Sequence, residues 1–343
     1  MGHRRACRSP GLPGDVAHGT GLGAVRLQNP VGGSPLFRDG FSLAGVPSMR
    51  RFMPADPVQL ALAIFEITLL LTGAGLALWL ATNRLQRQRW LETHALTYWS
   101  VTLPEFLFFA ALVFAVGFLG QTLVHTFLGP MIAQSPDKAG LEVFAYGAGL
   151  HGGVLLGCLL FPVLRRSLYA DYGATPTYSP RVAFRPEWTT VFRYAAGTLL
   201  VALPLLTVLS VGWTELLRLF GLPDEPQDLI ARFSETKSGL VIAGMLLVAC
   251  VLAPLSEELM FRAGLYRFVR QKIGRLPALL ISSVCFGILH GNWAGFLPLA
   301  TLGMLLALVY EATGSLRVIV IAHGLFNLNT IFIVLSGLSQ AVS

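Results

Sequence analysis

Apolar runs long enough to cross a bilayer recur along this chain, and they leave room for one kind of fold. About 20 predominantly apolar residues span a hydrocarbon core roughly 30 Å thick. Such runs can be drawn near 57–82, 104–129, 141–164, 188–213, 239–266, 277–291, 294–313 and 318–338. The 277–291 run is the shortest of these. Hydrophobic residues make up 54% of the chain and charged residues only 13%, whereas about a quarter of a soluble domain is charged. No segment shows the two-residue alternation of a membrane β-barrel. The expected fold class is therefore all-α, a polytopic bundle of about eight transmembrane helices.

The net charge is +7, but the cations gather in alternate short loops. Arg84, Arg87 and Arg89 lie in one; Arg165, Arg166, Arg181 and Arg185 in the next; Arg267, Arg270, Lys272 and Arg275 in a third; Arg317 marks the last. The intervening loops carry Lys138, Arg218, Arg232 and Lys237. This asymmetry places the richer loops in the cytoplasm and both termini on the far side. It is a pattern of membrane anchoring, so nucleic acid is not an expected partner.

Residues 1–56 run against that topology, with Arg4, Arg5, Arg8, Arg26, Arg38, Arg50 and Arg51 on the outer side. The segment is rich in Gly and Pro and lacks the apolar core of a signal peptide. It reads as a disordered tail or a mis-assigned start, with Met49 or Met53 as the alternative first residue. The domain reading is then a tail at 1–56, N-terminal transmembrane helices at 57–220 and a catalytic membrane domain at 221–338. Cys158, Cys250 and Cys285 fall within spans without CxxC spacing, so neither a disulfide framework nor a cysteine metal site is expected. Asp224 to Lys237 reads as a short amphipathic interfacial helix, with Leu229, Ile230 and Phe233 on one face.

Three polar clusters sit inside separate apolar runs: Glu257, Glu258 and Arg262; Phe286 and His290; His323 and Asn327. An ionisable side chain at that depth costs roughly 2.5 to 3.5 kcal/mol or more, so each needs a partner or a role. On a helix Glu258 and Arg262 share a face, while Glu257 points about 100° away from Glu258. Glu257 is then desolvated beside a like charge without its own counter-ion, a setting suited to a general base. At 1.5 Å per residue, Glu257 and His290 both lie roughly 15 to 20 Å from the cytoplasmic edge, where they could hold one water. His323 follows Arg317 closely, so its helix must begin earlier, tilt, or line a cavity open to the cytoplasm. Asn327 shares its face, and His with Asn can donate to a developing oxyanion.

Water attack on a carbonyl is the chemistry this set suits. A metal reading stands beside it, because Glu257, His290 and His323 form a His₂Glu set like some catalytic zinc sites. Against zinc, no HExxH occurs and Asn327 is a poor zinc ligand. No Ser or Cys stands in a pattern with a base. Phe286 reads as packing. Glu66, Glu105, His125, Glu142 and His151 read as helix-contact groups, and Glu311 as a solvated group at the end of its span. Pro254, just before the Glu pair, is expected to break the helix locally and widen a cavity. Two rivals remain: a proton-coupled transporter using the same groups as a relay, which predicts repeat symmetry, and a silent scaffold or immunity protein.

The EExxxR of Glu257, Glu258 and Arg262, the FxxxH of Phe286 and His290, and the HxxxN of His323 and Asn327, in this order over roughly 225–330, resemble the CPBP intramembrane proteases. That family includes the type II CAAX prenyl endopeptidases and the bacterial Abi proteins. The resemblance implies a helical fold with a polar catalytic cavity toward the cytoplasm. It implies that Glu257 and His290 activate water, that His323 and Asn327 stabilise the oxyanion, and that the substrate is the end of a membrane-associated peptide or protein, a prenylated CAAX-like tail being the family's eukaryotic case. A metal-independent mechanism and one using zinc are equally open. The compact loops and the absence of an ER retrieval tail fit a bacterial inner membrane, with lipid and a membrane-associated peptide or protein as partners.

Overall fold

A computed structural model describes residues 57–86, 88, 96, 99–169, 186–225, 232–233 and 235–337. The tail at 1–56 lies outside the described residues, as does half of the expected interfacial helix at 224–237. The described residues form helices and no strands. We number eight: α1 (Pro57–Thr82), α2 (Leu103–Ile132), α3 (Lys138–Tyr169), α4 (Trp188–Leu219), α5 (Gly239–Ile273), α6 (Arg275–Leu289), α7 (Trp293–Thr313) and α8 (Leu316–Leu335). Seven are long and apolar enough to cross a membrane, and α6, at 15 residues, is the short one. The polytopic helical bundle is thus the observed fold.

Local sequence sets the helix ends. Thr102 and Glu105 form a reciprocal capping box at the start of α2, Ser238 caps α5, and Asn292 caps α7 through Gly295 N–H at 2.6 Å. Gly274 at φ 96° and Gly314 at φ 63° make the tight turns from α5 to α6 and from α7 to α8, conformations that a side chain would strain.

Helices α2 and α3 pack along a stripe of small residues. A Cβ on Gly120 would stand 2.3 Å from the Gly149 carbonyl oxygen, and one on Gly153 would stand 2.4 Å from that of Val116. Backbones approach this closely because lipid gives apolar side chains no reason to separate from it, so van der Waals contact must hold the pair. Helix α1 packs on α4, which in turn packs on α7 and α8, while α3 and α8 both lie against α5. The helices before and after residue 220 therefore share one core. Large apolar side chains such as Leu71, Phe127, Leu159 and Val208 face outward, as lipid contact requires.

Phe233 is buried with Val241, Met245, Ala249 and Ile331, and Arg232 pairs with Glu142 at 3.0 Å. The described part of the 224–237 segment thus docks onto the bundle. Its aromatic anchor enters the protein rather than the headgroup layer.

Helix α5 carries the fold's main irregularity. It widens to π geometry at Val248–Leu252 and again at Leu259–Tyr266, with the Glu pair on the α-helical turn between them, Ala253–Glu258. Pro254 explains the first widening. Ala253 N–H already reaches back to the Val248 carbonyl, and Pro254 has no N–H to offer the Ala249 carbonyl five residues before it. The break expected at Pro254 is a π turn upstream of it.

Candidate active site

The three polar clusters converge. Glu258 is fully buried, and its Oε1 accepts from Arg262 Nη1 at 3.1 Å and from His323 Nδ1 at 2.9 Å. Arg262, also fully buried, donates Nη2 to the Gly303 carbonyl at 3.1 Å. It lies 4.5 Å over the Phe286 ring, a cation–π contact that desolvation strengthens. A Cβ on Gly303 would stand 3.2 Å from Arg262 Nη2, so glycine leaves the guanidinium room to reach this carbonyl. One charged trio thereby ties α5, α7 and α8 together.

Phe286 does more than fill space. Its ring lies beneath Arg262 and meets both histidines, 4.7 Å from the His290 ring and 5.7 Å from the His323 ring. Its carbonyl holds His290 Nδ1 at 2.7 Å. Because that carbonyl can only accept, His290 Nδ1 carries the hydrogen and Nε2 is its free atom. His323 is held the same way through Nδ1 on Glu258. Its Nε2 stands 3.8 Å from Glu257 Oε2, a buried oxygen without a hydrogen-bond partner.

Asn327 donates Nδ2 to the Ala249 carbonyl at 2.7 Å, the carbonyl that the π turn and Pro254 leave open. The amide has two N–H donors, so this bond orients Asn327 and leaves one donor. Here α8 lies against α5 at Gly324, where a Cβ would stand 2.3 Å from the Cys250 carbonyl oxygen.

Helix α8 begins at Leu316 and α5 ends at Ile273, so His323 reaches the level of Glu258 without an earlier helix start. His290 caps the C-terminus of α6, the end away from the basic turn.

The donor set also bears on a metal. Each histidine has its Nδ1 fixed and its Nε2 free, which is how ligating histidines are held. Yet no group of three or more His, Cys, Asp or Glu side chains among the described residues is arranged to hold one ion.

At two residues the structure goes beyond the sequence reading. His151 on α3 bonds Ser256, next to Glu257, at 2.7 Å. Its neighbours in α3 form no motif with α5, so only the fold could reveal this. Glu311 is fully buried, not solvated as its place near a helix end suggests. Arg270 embraces it through Nε at 2.7 Å and Nη2 at 2.5 Å, and Tyr266 donates to it at 2.6 Å. The other polar residues behave as contacts: Glu105 pairs with Arg165 at 2.7 Å, His125 lies 5.3 Å from the Tyr146 ring, and Glu66 accepts from Asn329 at 3.4 Å.

An integral membrane bundle with a buried carboxylate and imidazole site is the class that this geometry defines. Residues 239–329, from the first residue of α5 into α8, match the family described as type II CAAX prenyl endopeptidase Rce1-like. The matched segment holds all three clusters. Over 83 residues, 24% of this chain, the sequence is 32% identical to "Putative membrane peptidase YdiL" of Bacillus subtilis (strain 168). The match spans about a third of that relative's length, 34%. No solved structure matches the chain.

Proposed function

We propose that this protein is an integral membrane endopeptidase that cleaves a membrane-associated, CAAX-like peptide by direct attack of water. Glu257 Oε2 carries the reading: a buried carboxylate oxygen without a hydrogen-bond donor, 3.8 Å from the free nitrogen of His323. Glu257 takes a proton from water while His290 Nε2 orients it. The hydroxide adds to the scissile carbonyl carbon, and charge develops on the carbonyl oxygen. The second N–H of Asn327 and His323 Nε2 donate to that oxygen, His323 acting as imidazolium. Glu257 then returns the proton to the leaving amine as the C–N bond breaks. Glu258 and Arg262 do not touch the reacting atoms; they hold His323 and fix its ring.

No step here passes through a metal, because the donors are not gathered into a metal-holding set. The bacterial inner membrane is the proposed location. Cations at the α5 to α6 turn, Arg267, Arg270, Lys272 and Arg275, support a cytoplasmic orientation for that end. The catalytic segment is proposed as 221–338, with the earlier helices shaping substrate access.

The test is cleavage of lipidated and unlipidated C-terminal peptides by purified protein in detergent, comparing wild type with Glu257→Ala and His290→Ala. Loss in both variants supports the mechanism, and cleavage equal to wild type in both refutes it. A chelator added in parallel leaves the rate unchanged if water alone is activated, and a chelator-dependent loss restored by zinc returns the metal reading.

A further inference from the structure

We infer that His151 of α3 is a positioning residue for this site, holding through Ser256 the turn of α5 that carries Glu257; the inference rests on the peptidase reading above. Ser256 is buried, and its hydroxyl oxygen makes two contacts: 3.0 Å to the Ala253 carbonyl and 2.7 Å to His151 Nδ1. A serine has one hydrogen. The carbonyl can only accept, so the hydrogen goes to Ala253 and the hydroxyl oxygen must accept from His151. His151 therefore carries its hydrogen on Nδ1. The same assignment removes Ser256 as a nucleophile, since its hydrogen points away from the imidazole that would have to take it.

The location gives this bond its consequence. Ser256 stands on the short α-helical turn between the two π segments of α5, where the hydrogen-bond ladder changes register on both sides. Each change of register leaves a backbone carbonyl outside the regular ladder, and Glu257 stands on this same turn beside Ser256. A cross-helix bond from α3 restrains the turn. Through Ser256, His151 reaches this turn from a helix outside the family-matched segment. A catalytic carboxylate displaced by about 1 Å loses on the order of 100-fold in rate, which makes the orientation of this turn a kinetic matter.

Side-chain geometry separates positioning from other roles. An Asn amide can place a donor near the His Nδ1 position, whereas a Gln amide reaches toward Nε2. In His151→Ala we expect kcat to fall about 10- to 100-fold with KM within twofold, and His151→Asn to recover most of the rate. Ser256→Ala should cost a similar factor, and the double variant His151→Ala with Ser256→Ala no more than either single. His151→Ala at the wild-type rate, recovery by Gln but not Asn, or multiplicative losses would each overturn the inference while Glu257→Ala remained inactive. A Ser256→Ala variant far less active than His151→Ala would overturn it in favour of a serine nucleophile. If Glu257→Ala cleaves as wild type does, the peptidase reading fails and takes the inference with it.

Discussion

Two buried carboxylate and arginine groups lie along α5, and they differ in what they leave unpaired. Near the basic turn, Glu311 receives Arg270 on both oxygens and Tyr266 on one. Deeper in the bundle, Glu258 receives Arg262 and His323 on Oε1 alone, and its Oε2 and the nearby Oε2 of Glu257 accept nothing. A fully satisfied buried network specifies and rigidifies a packing arrangement, whereas an unpaired buried acceptor is expensive to keep. The first group joins α5 to α7 as a lock. The second carries acceptors that water or a substrate would complete.

The comparison breaks most sharply at Glu257. Replacing it with Gln preserves shape and removes the base, so cleavage should fall about 10³- to 10⁴-fold with the detergent melting temperature unchanged. A protein that melts earlier in step with its lost activity would make Glu257 structural. Glu311→Leu should do the opposite: it leaves the partly exposed Arg270 without its counter-ion and Tyr266 without its acceptor, destabilising the fold by about 1–3 kcal/mol. Equilibrium unfolding in mixed detergent measures this, and kcat per folded molecule should stay within a few fold. Stability equal to wild type would show that Arg270 finds water instead.

Asn327 belongs to both kinds of region, because one N–H closes the Ala249 carbonyl and the other is proposed for the oxyanion. Asn327→Ala should lower kcat about 100-fold. Asn327→Asp, which can donate only when protonated, should not restore it. A loss confined to KM would place Asn327 in binding and remove it from the oxyanion site.

Much of this was legible in one dimension. The bundle followed from run length, and the Glu258 to Arg262 pair from helical spacing, because both depend on periodicity that sequence carries directly. Glu311 was misread because proximity to a helix end does not say whether the end is wet; Arg270, 41 residues away, decides that. His151 was placed among helix contacts, and its bond to Ser256 spans 105 residues across two helices with no shared motif. Phe286 was read as packing because a phenylalanine in an apolar run has no signal that distinguishes a lipid contact from a face under a guanidinium. The π turns were hinted at only by Pro254, since a missing N–H marks where a ladder fails but not how neighbouring turns widen.

Phe286 therefore offers the finest test of the contrast between lock and site. Its ring is fully buried, carries Arg262 over one face and meets His290 and His323 at its edges. Leucine nearly conserves volume, so little of the packing energy is lost, but it removes the quadrupole that faces the guanidinium. The contact alone is worth about 1–2 kcal/mol when desolvated, and Phe286→Leu should destabilise the protein by roughly that amount. Because Phe286 holds His290 through its backbone carbonyl, which the substitution keeps, kcat should fall less than tenfold. If kcat instead falls as far as in Asn327→Ala while stability holds, the aromatic edge is orienting the imidazoles directly. The boundary between the charged trio and the reacting groups would then have to be drawn to include the ring.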